Sequence, residues 1–450
     1  MKKVLLLGAG LVARPGLRYL LEKGFFVTVV DQVESKAAAL LEGHSNGRAG
    51  AWNTDDKQGL QDLVRDADLV ISLLPAVYHP LVAEECVKQK KLMVTASYVS
   101  PAMRALDSKA KEAGILILNE IGVDPGIDHM SAMKVIDRVK GDGGKIVSFR
   151  SYCGGLPAPE ANTNPWGYKF SWSPRGVLTA GKNSARYLEN GKQIDIPGPE
   201  LFASMHILNV PGLGEFEAYP NRDSMGYIDI YGLQEAATVF RGTLRNKNWC
   251  AAMKKIVNSG LLDERENDLK GMTFKHFTAS GIPNSRPETV KKDLAAKLDV
   301  PADSHPIQWL EWLGLFSDEK LPLEKGSPLD VMTARMVSKM SYAEGERDML
   351  VMHHEFIAEF PGGKREKLTS TLIDFGIPHG DTSMARTVSL PVAIAVRLIL
   401  EGKIKGTGVQ IPVSPLIYTP VLKELEEMEN GIHFNETRTN LAAAAGINPN

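Results

Sequence analysis

At 450 residues the chain is too long for one ordinary domain of roughly 100–200 residues, so two or three are expected. Hydrophobic residues make up 43% and charged residues 24%, near the globular average, which excludes a disordered chain or a fibre. Lys and Arg total 52 against 54 Asp and Glu, a formal charge of -2, so no global basic field exists for nucleic acid or an anionic membrane.

The chain opens as strand, glycine turn, helix. An apolar run over 3–7 is broken by Gly8-Ala9-Gly10. Ala13, Leu17, Leu20 and Leu21 then recur at the spacing of one buried helix face. Gly24 ends that helix, and a second apolar run over 25–30 closes at Asp31, about 20 residues after Gly8. Gly8-x-Gly10-x-x-Ala13 between strand and helix matches the dinucleotide fingerprint. Gly8 permits the tight turn and Gly10 lets the backbone approach a pyrophosphate at the positive end of the helix dipole. Ala13 lets helix and strand pack closely. A plain glycine turn would not come with a strand before it, a helix after it and an acid at that distance.

The alternation continues. Helical segments near 56–65, 80–88 and 102–113 precede apolar runs at 69–73, 92–95 and 115–118, and a weakly marked strand falls at 48–52. Such runs predict buried parallel strands, hence an α/β fold with a doubly wound parallel sheet of Rossmann type. Ligands then bind at the carboxyl ends of the strands, in the loops 8–13, 31–35, 53–55, 74–79, 96–99 and 120–126. Asp31 stands where an acid holds the ribose 2′-OH of NAD, while Arg14, Ser35 and Lys36 are placed to meet the 2′-phosphate of NADP. The residues alone leave both cofactors open.

After Gly126 the pattern changes. Alternating segments at 145–152, 237–241, 351–360 and 367–375 predict half-buried strands of a mixed sheet. Between them, 248 to about 340 reads as helical, through Ala252, Met253, Ile256 and Val257, then Leu294 and Leu298, then Trp309, Leu310 and Leu313. Ser389-Leu390-Pro391 starts a further helix. The expected domains are 1–124 for the dinucleotide, completed by 391–450; 125–247 with 346–390 as an α+β mixed-sheet domain for substrate and dimerisation; and 248–345 as a helical insertion. Cys86, Cys153 and Cys250 are odd in number and far apart, which argues against a disulfide framework and fits a reducing, cytoplasmic setting. The first apolar run is too short for a signal sequence, and no stretch approaches the ~20 apolar residues of a membrane span.

Several motifs carry no chemistry. Residues 176–183, GVLTAGKN, lack the Ser or Thr of a phosphate loop and a buried strand before them, and read as a surface turn. His353-His354-Glu355 alternates like a strand and has Ala358 where a zinc helix needs its second ligand, so no metal is expected. Others do point to a site. Ser100 before Pro101 caps a helix, which leaves Ser97 and Tyr98 to line a ligand pocket. Asp124 either caps the helix after Gly126 or faces a cationic amine. Cys153 ends a strand before two glycines, and Arg222 and Arg245 stand at strand ends.

Taken together, Gly8-Ala9-Gly10 with Arg14-Pro15, Thr95-Ala96-Ser97-Tyr98-Val99-Ser100, and the run Glu120-Ile121-Gly122-Val123-Asp124-Pro125-Gly126-Ile127-Asp128-His129 resemble the saccharopine dehydrogenase family along the whole chain. The resemblance implies an NADP-dependent oxidoreductase acting on a CH–NH bond, with NAD as the alternative. It condenses 2-aminoadipate 6-semialdehyde with L-glutamate and reduces the imine to saccharopine in lysine biosynthesis. It also implies a homodimer. By the same resemblance Ser97, Tyr98, Asp124, Arg222, Thr243, Leu244 and Arg245 contact substrate. Gly8, Gly10, Leu11, Val12, Ala13, Asp31, Val33, Glu34, Ser35, Thr54, Asp55, Pro75, Ser97, Asp124, Pro125 and Gly126 contact the cofactor. Three carboxylates and two amines on saccharopine call for bidentate arginines and a carboxylate. Asp124, Tyr98 and Cys153 are the proton-transfer candidates, none preferred over the others. The alternatives are NAD-linked saccharopine oxidation in lysine breakdown, a polyamine-forming reductase, which would need fewer arginines, and a nucleotide-binding protein without catalysis.

Overall fold

A computed structural model describes residues 1–441. The chain forms two compact units, one of Met1–Ile146 with Ala358 onward, the other Val147–Ile357. The first begins β1 (Lys3–Leu7), α1 (Arg14–Glu22), β2 (Phe26–Asp31), α2 (Glu34–Leu41), β3 (Gly47–Ala51), α3 (Lys57–Arg65) and β4 (Leu69–Ser72). It continues with α4 (His79–Gln89), β5 (Leu92–Val94), α5 (Pro101–Arg104), α6 (Asp107–Ala113), β6 (Leu116–Leu118) and α7 (Ile127–Gly141). The sheet order is the Gly408–Gln410 strand, then β6, β5, β4, β1, β2 and β3, all parallel. The order reverses between β1 and β4, the switch point at which such sheets bind ligands. Leu5, Leu6, Leu7, Val27, Val29 and Val70 are buried, as strands covered on both faces require. β3, with sequence GRAGA, has no apolar run and lies at the sheet edge, which is why it is faint in the sequence.

The chain from Ala358 on belongs to this unit, and the two compact units divide near 146 and 358, where sequence analysis sets domain bounds at 124 and 390. α7 belongs to the first unit because helix Pro415–Glu427 packs on it: Tyr418 donates to Asp137 at 2.7 Å and Lys134 pairs with Glu426 at 3.2 Å. Strands Arg365–Phe375 and Phe434–Leu441 also pair antiparallel here. Helix Ser383–Leu400 starts before Ser389, because Thr382 caps it by accepting from the Ala385 amide, and Pro391 lies inside it. By length and apolarity this helix could cross a membrane, yet 83% of it is buried in the protein. It packs on α1, where Ser389 Oγ accepts from the Gly16 amide at 2.9 Å.

In the second unit, strand Thr238–Arg245 pairs parallel with Lys145–Pro157 and antiparallel with Gly214–Pro220, which pairs with His206–Val210. The hairpin Ala185–Glu189 and Lys192–Ile196 joins the same mixed sheet. The helices of 248–345 do not form a separate body. Met253, Leu294, Leu310 and Met332 share one core with Trp166, Tyr168 and Phe202. Residues 176–180 lie in helix Pro174–Ala180 rather than in a surface turn, because Ser173 caps that helix. His353 and His354 are buried in strand Asp348–Glu359, and no cluster able to hold a metal ion occurs among the described residues.

Candidate active site

The cofactor loop leaves the end of β1. Gly8 has φ +100°, and a Cβ there would meet the Leu73 carbonyl at 3.1 Å. A Cβ on Gly10 would meet nothing within 4 Å, so that face of the loop is open. Leu11 is exposed, Val12 is half-buried and Ala13 is buried against the sheet. No side chain at the N-cap closes α1, although Pro15 has no N–H and the Gly16 amide donates to Ser389 Oγ, so of the first turn only the Arg14 amide is left toward the loop. An open glycine face before an uncapped helix terminus is what a pyrophosphate needs, and the residues present fit a dinucleotide.

Asp31 explains how an acid coexists with a 2′-phosphate. Its Oδ2 accepts from the Ala9 amide at 3.0 Å and its Oδ1 from the Val33 amide at 3.1 Å, so it ties the glycine loop to the turn after β2. Val33, Glu34, Ser35 and Lys36 are exposed at the start of α2, which has no side-chain cap. Arg14 is engaged by Glu42 at 2.8 Å and Asp381 at 3.6 Å, which leaves Ser35 and Lys36 as the more available phosphate partners. Thr54 and Asp55 follow β3, where the Asn53 side chain accepts from the Asp55 amide, and Pro75 is exposed after β4.

The loops after β5 and β6 meet. Tyr98 donates its hydroxyl to Asp124 Oδ1 at 2.8 Å, and both residues are half-buried. Asp124 does not cap α7: the residue before that helix is Gly126, whose amide donates to Asp128 at 2.6 Å. Gly126 has φ +147°, and a Cβ there would lie 2.0 Å from the Gly122 carbonyl oxygen, so only glycine fits. Ser100 caps α5 by accepting from Met103, as the sequence indicates. Buried Glu120 braces the pair of loops, accepting from the Val99 amide at 2.8 Å and facing His129 Nε2 at 2.8 Å. Ser97 Oγ lies 2.7 Å from Nε2 of His79, whose Nδ1 lies 2.8 Å from Ser72 Oγ. Burial pushes the His79 imidazole down to about 4, so it is neutral at physiological pH. From the sequence these three receive no role, although Glu120 and His129 bound the family-like run and His79 closes the loop 74–79. Glu120 follows β6, while His79 and His129 lie in the first turns of α4 and α7.

The remaining residues lie in the second unit. Arg222 is exposed in the loop after strand Gly214–Pro220. Arg245 is only 3% exposed. Its guanidinium carbon lies 5.0 Å from the Tyr168 ring centre, 5.6 Å from Trp249 and 5.9 Å from Tyr219. Its Nη1 donates to the Leu244 carbonyl at 2.8 Å, and its buried Nε has no hydrogen-bond partner among the described residues. Thr243 stands beside Cys153 in the parallel register, and Leu244 is fully buried. All three cysteines are buried, and none is in a disulfide.

Comparison with known proteins agrees along the chain. Residues 4–118 match the saccharopine dehydrogenase NADP binding domain, and 122–432 match the saccharopine dehydrogenase C-terminal domain. Saccharopine dehydrogenase [NADP(+), L-glutamate-forming] of Saccharomyces cerevisiae is 42% identical over 444 residues, 97% of this chain and 99% of that one. Its namesake from Schizosaccharomyces pombe is 42% identical over 448 residues, with the same two coverages. The mitochondrial alpha-aminoadipic semialdehyde synthase of Bos taurus is 40% identical over 435 residues, 94% of this chain but 47% of that longer protein. The solved apo saccharopine dehydrogenase (L-Glu forming) of S. cerevisiae superposes with a TM-score of 0.86 at 41% identity, covering 98% of this chain and 100% of its own. With both domain patterns matched in sequence and a full-length structural likeness, the chain belongs to the saccharopine dehydrogenase family.

Proposed function

We infer that the protein is an NADP-dependent, L-glutamate-forming saccharopine dehydrogenase. It joins 2-aminoadipate 6-semialdehyde to glutamate and reduces the imine to saccharopine, a reversible step of lysine biosynthesis by the aminoadipate pathway. The observation that carries this is the 42% identity over nearly the whole of this chain and of the yeast enzyme. The glutamate amine adds to the aldehyde, the carbinolamine loses water, and the resulting imine carbon accepts a hydride. When bound, NADPH supplies that hydride.

In this reading the chain's own groups bind, orient and move protons. The amides at Gly10 to Ala13 hold the pyrophosphate. Ser35 and Lys36 take the 2′-phosphate. The Asp124 carboxylate, held by the Tyr98 hydroxyl, faces the cationic amine and is placed to take or return a proton at the carbinolamine stage. Cys153 is the less favoured proton carrier, because it is buried. Arg222 and Arg245, with Thr243 and Leu244, hold carboxylates. The NAD-linked reading rests on Asp31 alone, whose oxygens already serve the Ala9 and Val33 amides.

We also propose that the protein works in the cytoplasm as a homodimer on small-molecule substrates. Three buried cysteines outside any disulfide support the reducing compartment, and the family resemblance supports the dimer. The test is saccharopine-dependent reduction of NADP against NAD at matched concentrations, with light scattering for the assembly. Equal kcat/KM with the two cofactors would overturn the assignment of the 2′-phosphate contacts. No turnover of saccharopine with either would overturn the activity.

A further inference from the structure

His79 is 1% exposed, and every polar partner of its ring is a hydroxyl. Nδ1 lies 2.8 Å from Ser72 Oγ, while Nε2 lies 2.7 Å from Ser97 Oγ and 3.3 Å from Thr95 Oγ1. A neutral imidazole has one N–H and one lone pair, so the neighbours decide which nitrogen carries the proton. Ser72 is fully buried, and among the described residues its hydroxyl has Nδ1 as its one hydrogen-bond partner. A buried hydroxyl left without an acceptor is costly. Ser72 therefore donates to Nδ1, and the ring proton sits on Nε2. The opposite tautomer would satisfy Thr95 through its longer contact and strand the closer Ser72 donor.

With its proton on Nε2, His79 donates to Ser97 Oγ. That hydroxyl is then held as an acceptor on its inner side, and its own proton points away from the ring. Ser97 is fixed in its backbone too: its amide donates to Thr95 Oγ1 at 3.3 Å and its carbonyl accepts from the Glu120 amide at 3.1 Å. The half-buried side chain at the end of β5 thus presents an O–H of set direction.

We propose that His79 is a positioning residue: through the chain Ser72–His79–Ser97 it makes the Ser97 hydroxyl an obligate donor to a ligand oxygen, either a substrate carboxylate or the carboxamide of the nicotinamide. This rests on the reading that Ser97 faces the ligand. His79 itself transfers no proton in the reaction, and its low acidity range keeps it neutral while the enzyme works.

The test is a double-mutant cycle on the full chain. Ser97→Ala should lower kcat/KM for saccharopine by roughly tenfold, the scale of one hydrogen bond. His79→Asn, whose shorter amide falls short of Ser97, should cost a similar factor. His79→Gln keeps an N–H near the place of Nε2 and should recover part of the loss. The Ser97→Ala, His79→Asn double variant should be no worse than Ser97→Ala alone. The limbs of the pH–rate profile should stay in place in every variant. Ligand source is read separately: a rise in the NADPH dissociation constant points to the carboxamide, and a rise in the saccharopine Michaelis constant alone points to the carboxylate. Losses that multiply in the double variant, or a shifted pH limb, would overturn the role of His79 while leaving Ser97 as a ligand contact. So would wild-type kinetics in His79→Asn beside an impaired Ser97→Ala. Wild-type kinetics in Ser97→Ala would overturn the Ser97 reading and this inference with it. If His79→Asn does not fold, the cycle with His79→Gln decides in the same way.

Discussion

Arg245→Ala should affect stability as well as substrate binding, and the two effects can be separated. The guanidinium packs against three aromatic rings and bonds to the Leu244 carbonyl. A desolvated cation–π contact is worth about 2 kcal/mol, and truncating a long buried side chain leaves a cavity that costs about 2–5 kcal/mol. These terms overlap, so about 4 kcal/mol is expected in all. At roughly 2–4 °C per kcal/mol for a unit of this size, the melting temperature should fall by about 8–16 °C. Arg245→Lys keeps the charge but not the planar fork and should lose about half as much. Arg222 is exposed, so Arg222→Ala should shift melting by no more than about 1–2 °C, as surface substitutions do. In contrast, Arg222→Ala and folded Arg245→Lys should each weaken saccharopine by roughly ten- to a hundredfold, since a charge-assisted bond is worth about 1.5–3 kcal/mol. Differential scanning fluorimetry run beside initial-rate titrations measures both. If Arg245→Ala melts like the wild type, the aromatic cage does not hold the arginine as argued. Unchanged saccharopine constants in both arginine variants would remove their carboxylate role.

Gly10→Val should fold normally, because the added carbons enter open space, yet raise the NADP dissociation constant by roughly tenfold or more; fluorescence titration showing unaltered binding would refute the loop assignment. Tyr98→Phe removes the hydroxyl that binds Asp124 and should lower kcat/KM by about ten- to a hundredfold with little change in NADP binding, which steady-state kinetics and cofactor titration would check together. His79 predicts acid lability. Its imidazole titrates near 4 when folded, whereas an unfolded histidine titrates at ~6.5, so between those values the unfolded chain binds the extra proton. Stability from this residue is complete above pH ~6.5 and falls by about 3 kcal/mol as pH drops to ~4. Denaturant unfolding at pH 7, 5 and 4 should show this slope in the wild type and not in His79→Gln; parallel slopes would refute it.

The sequence by itself determined most of the first unit. Buried parallel strands need apolar runs, and a phosphate-binding turn needs glycines at set places. β1, β2, β4, β5 and β6, the Gly8–Ala13 loop and the cap at Ser100 are therefore readable one residue at a time. It also marked Ser97, Tyr98, Asp124, Arg222 and Arg245 as residues to watch, partly through family resemblance. Only the tertiary structure decided how they are held. The Tyr98–Asp124 bond joins residues from two loops, and nothing local records their distance. The same is true of the Glu120–His129 brace and of the Ser72–His79–Ser97 chain. Asp31 is a further case: as a residue it speaks for NAD, but in the fold its oxygens satisfy two backbone amides. Arg245 reads as an ordinary polar residue at a strand end until Tyr168 and Tyr219, from other segments of the chain, close around it together with nearby Trp249. The extent of the compact units is decided in three dimensions for the same reason. Periodicity along the chain shows which face of α7 is apolar, but not that the helix of 415–427, nearly 300 residues later, covers it.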